Sequence, residues 1–284
     1  MTCAWKELLS VLPLWMRKEV ELLKNNSLQE IRLRINSPPE LIFQEKRHTL
    51  NRAVTGEDLR YTFNTACQYS PWAAASAAKG YVTIAGGHRV GLCGEAVLQQ
   101  GRVTGFRDLS SLCIRVSRDF PGIASGISKG CGSVLILGPP GWGKTTLLRD
   151  LIRQLAIMET ICVVDERREL FPPGQSAGKR VDILSGCSKG EGISMLLRTM
   201  GPTCIAVDEI TEAEDVSALL QTANCGVRLL ATAHAMSVSD LKQRKIYRPL
   251  WENSIFDTFL VLNKDKSYRM ERMTEWVTSG SAPY

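Results

Sequence analysis

The sequence predicts a two-domain α/β protein, in which a smaller α+β domain (residues 1–120) precedes a domain with a parallel central sheet (residues 133–284). Three observations support this prediction. The chain has 284 residues, which is enough for two hydrophobic cores. Its hydrophobic pattern changes near Ser133, from alternating strands to continuous apolar runs. A stretch rich in Gly and Ser lies at the change, so residues 121–132 are predicted to be the linker.

The composition limits the classes of protein that the chain can belong to. Hydrophobic residues make up 44% and charged residues 23%, as in globular proteins that function in water. The formal net charge of +6 allows contact with nucleic acid or an anionic membrane and requires neither. The nine cysteines are dispersed and include no C-x-x-C pair, which indicates reduced thiols in the cytoplasm rather than a disulfide framework. No signal peptide and no integral membrane segment is expected.

The first two elements follow from local patterns of apolar and charged residues. Residues 4–24 place apolar side chains on one helical face, and charges of both signs interrupt them. They predict an amphipathic helix packed on its own domain, and a helix on a membrane surface is the alternative. Residues 28–35 alternate apolar and polar side chains and predict a half-buried strand.

The remainder of the first domain combines a helix with several strands. Residues 56–78 have helical spacing that is broken at Pro71. Residues 80–117 are rich in strand-forming residues. Turns are predicted at the pair Gly86-Gly87 and at the single Gly101. This order of elements predicts the α+β class for the domain.

Apolar runs and helical segments alternate in the second domain. The apolar runs are residues 134–137, 161–165, 204–208 and 229–233. Continuous apolar strands between helices are typical of a parallel sheet that is covered on both faces.

Residues 138–145 read GPPGWGKT and match the phosphate-binding pattern G-x-x-x-x-G-K-[ST] between an apolar strand and a helical segment. Backbone N–H groups and a helix N-terminus in this arrangement bind phosphate. Lys144 is expected to neutralise the β- and γ-phosphates, and Thr145 to offer its hydroxyl to Mg²⁺. The predicted nucleotide-binding residues are Gly138, Pro139, Pro140, Gly141, Trp142, Gly143, Lys144, Thr145 and Thr146. For Trp142 the alternatives are contact with the base, contact with the other domain, and plain packing.

Two Asp-Glu pairs follow apolar strands downstream of this loop. Asp165 and Glu166 end one strand, and Asp208 and Glu209 end another. A phosphate-binding loop of this type requires a carboxylate at the end of a neighbouring strand, and we assign Asp208 to the Mg²⁺ shell, partly through water. Either Glu166 or Glu209 can activate the attacking water, with a slight preference for Glu166.

His234 follows a third apolar strand, at the edge where open α/β sheets bind ligands. This position favours a role in sensing the γ-phosphate. A metal-ligand role is disfavoured because no second His or Cys has suitable spacing nearby.

The order of these motifs resembles the secretion and type IV pilus ATPases, a RecA-like, AAA-type superfamily. Residues 163–170 (VVDERREL) resemble its acidic box, residues 206–210 (AVDEI) its Walker B strand, and residues 231–234 (ATAH) its His box. Further motifs are similar to those of the stage III sporulation protein AA family over nearly the whole chain. They are LQEIRLR (28–34), GHRVGLCGEAV (87–97), IRVSR (114–118), GKRVDIL (178–184), KGEGISMLLRTMGP (189–202) and DLKQR (240–244).

The resemblance implies a cytosolic motor ATPase that uses ATP and Mg²⁺ and works as a ring homo-oligomer, usually a hexamer. It also implies partners among the membrane proteins of a sporulation channel, with the ring at the inner face of a membrane. Arg89 and Arg115 match strand positions at which the family's first domain supplies arginines to the nucleotide, and Arg198 is a weaker candidate. The resemblance, rather than any base-specifying motif, favours ATP over GTP.

Two other functions compete with this interpretation. A ring helicase-like nucleic-acid motor also fits the D-E-R triplet at residues 165–167 and the positive charge. It is disfavoured because the first domain lacks a basic stripe interleaved with aromatic residues. The second alternative is a nucleotide-gated scaffold that hydrolyses little ATP. A small-molecule kinase explains neither the second carboxylate pair nor the first domain.

Overall fold

The structure is a computed structural model. It describes residues 3–23, 28–43, 46–67, 77–127, 131–172 and 175–274. The chain divides into two compact units. The first consists of Met1–Asp119 and Pro172–Gln175, and the second of Phe120–Phe171 and Ser176–Tyr284.

The first unit is built on an antiparallel sheet. Its strands are β1 (Leu28–Arg34), β2 (Glu40–Phe43), β3 (Arg47–Thr49), β4 (Tyr81–Thr83), β5 (Arg89–Gln99) and β6 (Arg102–Arg115). They form a six-stranded sheet in the order β3-β2-β1-β6-β5-β4. In β1, Ile31 and Leu33 are fully buried while Arg32 is partly exposed, as the alternating sequence predicts.

In the described part of this unit, the helices α1 (Trp5–Ser10), α2 (Leu14–Leu22) and α3 (Gly56–Cys67) cover the apolar face of the sheet. The prediction of one helix over residues 4–24 is wrong, because Pro13 precedes α2 and has no N–H to continue α1. Of the helix predicted over residues 56–78, α3 covers Gly56–Cys67, and residues 68–76, which include Pro71, lie outside the described residues. No helix in the described part of the chain is long and apolar enough to cross a bilayer.

The second unit confirms the predicted parallel sheet. Its strands are β7 (Val134–Leu137), β8 (Ile161–Asp165), β9 (Val181–Ser185), β10 (Cys204–Ile210), β11 (Arg228–Ala233), β12 (Thr258–Leu262) and β13 (Tyr268–Arg272). They form a seven-stranded sheet in the order β13-β12-β7-β11-β10-β8-β9. Among the described strands of this sheet, β12 and β13 pair antiparallel and all other neighbours pair parallel. The four apolar runs of the sequence are the four central strands β7, β11, β10 and β8.

Helices cover both faces of this sheet, so the inner strands are buried on both sides, whereas the edge strands β9 and β13 are partly exposed. The helices are α4 (Lys144–Leu155), α5 (Lys189–Thr199), α6 (Ala213–Asn224), α7 (Val238–Gln243) and α8 (Arg248–Glu252). Successive residues of a strand point to opposite faces, so β7 contributes Ile136 to the core under α4 and Leu137 to the core under α5 and α6. The carboxyl ends of β7, β8, β10 and β11 therefore meet at one edge.

The predicted linker over residues 121–132 differs from the structure. In its described part, Ala124 and Ile127 are buried in the same core as β7 and α4. The Asp150 carboxylate on α4 accepts hydrogen bonds from the backbone N–H of Gly122 (3.0 Å) and of Ala124 (2.8 Å). These contacts make the segment part of the second unit, although its Gly and Ser content is typical of a free linker.

Candidate active site

The loop between β7 and α4 has the backbone that phosphate binding requires. Gly141 (φ 76°) and Gly143 (φ 104°) are both in the left-handed region, where an L side chain is strained. Apart from their chain neighbours, no atom lies within 4 Å of the position that a Cβ would take at either glycine, so backbone conformation rather than crowding favours glycine here. Gly143 immediately precedes α4, whose unpaired N–H groups and dipole attract an anion. The loop therefore fits a nucleotide phosphate.

Lys144, the first residue of α4, is held inside this loop and is 7% exposed. Its Nζ donates a hydrogen bond to the Pro139 carbonyl (3.1 Å) and lies 3.2 Å from His234 Nδ1. Burial lowers the pKa of Lys144, and the negative charges of Asp208 and Glu209 oppose this effect. A phosphate would supply the negative charge that this buried cation lacks at close range.

Asp208 joins the loop to two strands. Its Oδ2 accepts a hydrogen bond from Thr145 Oγ1 on α4 (2.7 Å), and its Oδ1 accepts one from Thr232 Oγ1 on β11 (2.6 Å). Burial raises the pKa of Asp208 in spite of these two hydrogen bonds. The hydroxyl and the carboxylate provide the hard oxygen donors that Mg²⁺ prefers, and a cation would offset the buried charge.

Glu209 has both carboxylate oxygens occupied and a strained backbone. Its Oε1 lies 2.5 Å from His234 Nε2, and its Oε2 accepts a hydrogen bond from Arg167 Nη1 (2.9 Å). Burial alone would raise the pKa of Glu209, but the hydrogen bond to His234 and the charge of Arg167 lower it. Its φ of 54° places a non-glycine residue in the left-handed region, at a cost of about 1–2 kcal/mol. Glu209 N–H donates to Thr232 Oγ1 (2.8 Å) and fixes this conformation.

The other acidic pair, at the end of β8, has different partners. Asp165 is 2% exposed, and its oxygens accept hydrogen bonds from the backbone N–H groups of Glu169 (2.9 Å) and Phe171 (3.0 Å). It therefore shapes its own turn. Glu166 Oε2 accepts a hydrogen bond from Lys189 Nζ on α5 (2.8 Å).

Both acidic pairs line one small cavity. Lys189 also lines this cavity. Its volume of about 20 Å³ gives room for roughly one water molecule. The structure thus brings residues of both predicted boxes to one cavity, and Asp208 at this cavity contacts Thr145, the last residue of the phosphate-binding loop.

The remaining predicted residues have more varied surroundings. Trp142 is partly buried against the core that contains α4, which matches the packing alternative. Thr146 is partly buried in the first turn of α4. Arg198, in the last turn of α5, donates from Nε to the carbonyl of Ser194 (3.0 Å), one turn earlier in the same helix.

The two predicted arginines of the first unit are neighbours in the sheet. Arg89 on β5 and Arg115 on β6 face each other in the register. The Arg89 guanidinium carbon lies 3.6 Å from the centroid of the Tyr81 ring. Arg115 has a side chain that is 71% exposed and lies 4.0 Å from Glu30. Their role towards a nucleotide stays a prediction.

Three residues of the site escaped prediction from the sequence, namely Arg167, Lys189 and Asp215. Arg167 belongs to the VVDERREL motif and directly follows Glu166, so the sequence indicated that it lies near the site. Lys189 and Asp215 contact each other across the start of two helices (3.3 Å), and no local pattern predicts such a pair.

The fold and the site define a RecA-like P-loop domain that follows an α+β domain, the architecture of the secretion ATPases. The ATPase DotB of Legionella pneumophila has a TM-score of 0.61 at 17% identity, covering 95% of this chain and 85% of that one. The pilus retraction motor PilT, solved with bound ADP, has a TM-score of 0.62 at 17% identity, covering 90% and 78%. At this identity the likeness concerns the fold.

The chain belongs to the family described as Sporulation stage III, protein AA, whose family model matches residues 5–272. Stage III sporulation protein AA of Bacillus subtilis (strain 168) is 40% identical over 256 residues, which cover 84% of this chain and 83% of that protein. The family predicted from the sequence motifs is thus confirmed.

Proposed function

We propose that this protein is a Mg²⁺-dependent ATPase that works as a motor for a membrane-spanning channel complex in sporulation. The observation that carries the proposal is the contact between Thr145 and Asp208 (2.7 Å) beneath a loop that also holds the buried Lys144. A hydroxyl, a carboxylate and a lysine in this arrangement are what phosphoryl-transfer proteins use to hold a nucleotide and its metal ion.

Each group at the loop has a distinct task in binding. The backbone N–H groups of the loop and Lys144 hold the phosphates and orient the γ-phosphate. Thr145 and Asp208 would hold Mg²⁺, with Asp208 acting partly through water. When bound, the ion supplies positive charge that offsets the charge on the β- and γ-phosphate oxygens. His234, which lies 3.2 Å from Lys144 Nζ, connects the phosphate end of the site with Glu209.

We assign the orientation of the attacking water to Glu166. Glu209 has one oxygen at His234 and the other at Arg167. Glu166 uses only Oε2, for Lys189, and its Oε1 has no hydrogen bond to any residue that the structure describes. The Glu166 carboxylate has a free acceptor oxygen and lines a cavity with room for about one water molecule. It is therefore suited to accept a proton from the attacking water.

The assembly and the partners in this proposal follow from the family. A ring homo-oligomer, a hexamer by resemblance, would let Arg89 and Arg115 stabilise the charge of the transferring γ-phosphate. The partners would be membrane proteins of a sporulation channel, with the ring in the cytoplasm at the membrane's inner face. The two structural relatives, an ATPase and a pilus retraction motor with bound ADP, support a nucleotide-driven machine.

The test is ATP turnover by the purified full chain, with and without Mg²⁺ and with and without single-stranded nucleic acid. We expect Mg²⁺-dependent turnover that Lys144→Ala lowers by roughly 10²-fold or more, because a buried charge at the phosphates is lost. Lys179→Ala is the matched control, since Lys179 is an exposed lysine far from the loop in sequence. It should retain wild-type turnover.

Three outcomes would contradict the proposal. Turnover that survives Lys144→Ala would come from a contaminant or another site. Strong stimulation by single-stranded nucleic acid would favour the helicase-like motor. Tight, Lys144-dependent ATP binding without hydrolysis, also in the presence of membranes carrying the channel proteins, would favour the nucleotide-gated scaffold.

A further inference from the structure

We propose that Lys189 is a positioning residue, which holds the Glu166 carboxylate at the cavity and couples it to the turn that follows Asp208 and Glu209. The inference rests on the proposed ATPase function and adds a residue that the phosphate-binding loop and the acidic boxes do not include. Lys189 acts through Glu166 and does not itself contact the nucleotide.

The location of Lys189 is costly for a lysine. It is the first residue of α5, where the partial positive charge of the helix N-terminus disfavours a cation. It is also 6% exposed, so its ammonium has lost most of its contact with water. A cation persists in such a place only when nearby carboxylates compensate it.

Two carboxylates provide that compensation. Lys189 Nζ lies 2.8 Å from Glu166 Oε2 and 3.3 Å from Asp215 Oδ2. Burial would lower the pKa of Lys189, but the hydrogen bond to Glu166 and the charge of Asp215 outweigh burial and raise it. The lysine is therefore charged and fixed between the two acids.

Asp215 connects this lysine to the strand that carries Asp208 and Glu209. It is 5% exposed, and its Oδ2 accepts hydrogen bonds from the backbone N–H groups of Thr211 (2.9 Å) and Glu212 (3.2 Å). Those two residues form the turn directly after β10. Lys189 thus bridges the end of β8 and the turn after β10, two neighbouring strands whose acidic residues line one cavity.

The bridge has a specific consequence for Glu166. A partly exposed glutamate has several rotamers of similar energy, and ordering it costs roughly 1–2 kcal/mol of entropy. The hydrogen bond from Lys189 to Oε2 selects one arrangement of a glutamate that lines the cavity, and Oε1 keeps no partner among the described residues. Pre-ordering of this kind lowers the barrier for water attack without changing how tightly the nucleotide binds.

The experiment measures the affinity of the full chain for Mg²⁺–ADP and for Mg²⁺–ADP–aluminium fluoride, which mimics the transferring phosphoryl group and its attacking water. Four proteins form a cycle: wild type, Lys189→Met, Glu166→Gln and the double variant. We expect Lys189→Met to leave ADP affinity within about twofold and to weaken the mimic by about tenfold. In the Glu166→Gln background the same substitution should change the mimic's affinity by less than about twofold.

A purely structural lysine would give a different pattern. Equal weakening of ADP and the mimic, or the same loss in both backgrounds, would overturn the inference. Lys179→Met makes the same substitution at an exposed lysine and should change neither affinity. If Lys189→Met lacks a cooperative thermal transition, Lys189→Gln, which keeps a hydrogen-bond donor but loses the charge, replaces it in the cycle. Its loss of affinity for the mimic should be smaller than about tenfold, should exceed its loss for ADP, and should vanish in the Glu166→Gln background.

The measurement separates this inference from the proposed function. If wild type binds the ligands but shows no turnover, hydrolysis fails as a function while the cycle still decides on Lys189. If wild type binds neither ligand better than Lys144→Ala does, both proposals fall.

Discussion

The two acidic boxes share the dipeptide Asp-Glu and end neighbouring parallel strands, yet their aspartates have opposite tasks. Among the described residues, the Asp165 side chain after β8 accepts only from backbone N–H groups of its own turn. Asp208 after β10 accepts from the hydroxyls of Thr145 and Thr232, which belong to two other elements. The first aspartate therefore shapes a loop, and the second joins the phosphate-binding loop to the sheet.

The glutamates differ in the same way. Glu166 has a single partner, the buried Lys189, and keeps one oxygen free among the residues that the structure describes. Glu209 has both oxygens engaged and a left-handed backbone held by Thr232. Strain of this kind persists only where surrounding contacts enforce it, and it is concentrated at functional sites. The comparison teaches that partners distant in sequence, rather than the dipeptide, assign the role.

The largest expected effect separates the two aspartates. Asp208→Asn should lower Mg²⁺-dependent turnover by roughly 10³-fold, because a metal ion contributes several kcal/mol to the transition state. Its melting temperature should not fall. Burial raises the pKa of Asp208, so the charged form costs folding free energy at neutral pH, and Asn removes that cost. The partners of Asp208 are two threonine hydroxyls, which can accept from the amide N–H group as well as donate, so neither loses its hydrogen bond.

Asp165→Asn is the matched variant and should give the reverse result. The amide can accept at only one atom, so one of the two backbone N–H groups loses its partner. The expected loss is about 2 kcal/mol, or roughly 5 °C in melting temperature, with turnover lowered far less than in Asp208→Asn. Equal turnover losses in the two variants, at equal stability, would show that both boxes bind the metal ion.

A smaller difference is expected between the two glutamates. Glu166→Gln should lower kcat by roughly 10²-fold with little change in KM, since a carboxylate that accepts a proton from water acts in the transition state. Glu209→Gln should lower kcat by about tenfold, because its amide retains one acceptor for the hydrogen-bonded pair of His234 and Arg167. Steady-state kinetics on both variants would measure this, and a larger loss for Glu209→Gln would reassign the water to that residue.

The sequence was sufficient for the parts of this comparison that depend on strand order. Apolar runs predicted the central strands, and the carboxyl ends of parallel strands meet at one edge, so Asp165, Asp208 and His234 could be placed together. The glycine and lysine pattern predicted the phosphate-binding loop because backbone geometry and charge there leave few alternatives.

The remainder depends on contacts that no local pattern encodes. Lys189 meets Glu166 and Asp215 only because α5 and α6 pack on the same face of the sheet. The Gly- and Ser-rich segment after residue 120 was predicted as a linker, since composition does not reveal that Asp150 binds its backbone. Pro13 was a missed signal of a different kind, because a proline inside a predicted helix is a local rule.

The smallest expected effect concerns pH and again sets the two boxes apart. The pKa of Lys189 is raised in the folded chain by Glu166 and Asp215, so the stability that its ion pairs contribute is present in full below the ordinary lysine range. That stability is lost as pH rises through the raised pKa. We expect Lys189→Gln to reduce the free energy of unfolding by about 2 kcal/mol at pH 7, with the difference from wild type shrinking above the ordinary lysine pKa.

The stability contributed by the acidic box at β10 should change at low pH. The pKa of Glu209 is lowered, so the stability from its contacts is present above the ordinary glutamate range and is lost as pH falls through the lowered pKa. Urea unfolding of wild type, Lys189→Gln and Glu209→Gln between pH 3 and 11 measures both differences. The cysteines whose pKa burial raises also titrate in alkali, but they are common to all three proteins and cancel in the differences. A Lys189→Gln difference that stays constant through strong alkali would mean that its ion pairs with Glu166 and Asp215 contribute nothing to folding, and the bridge between the boxes would then lose its physical basis.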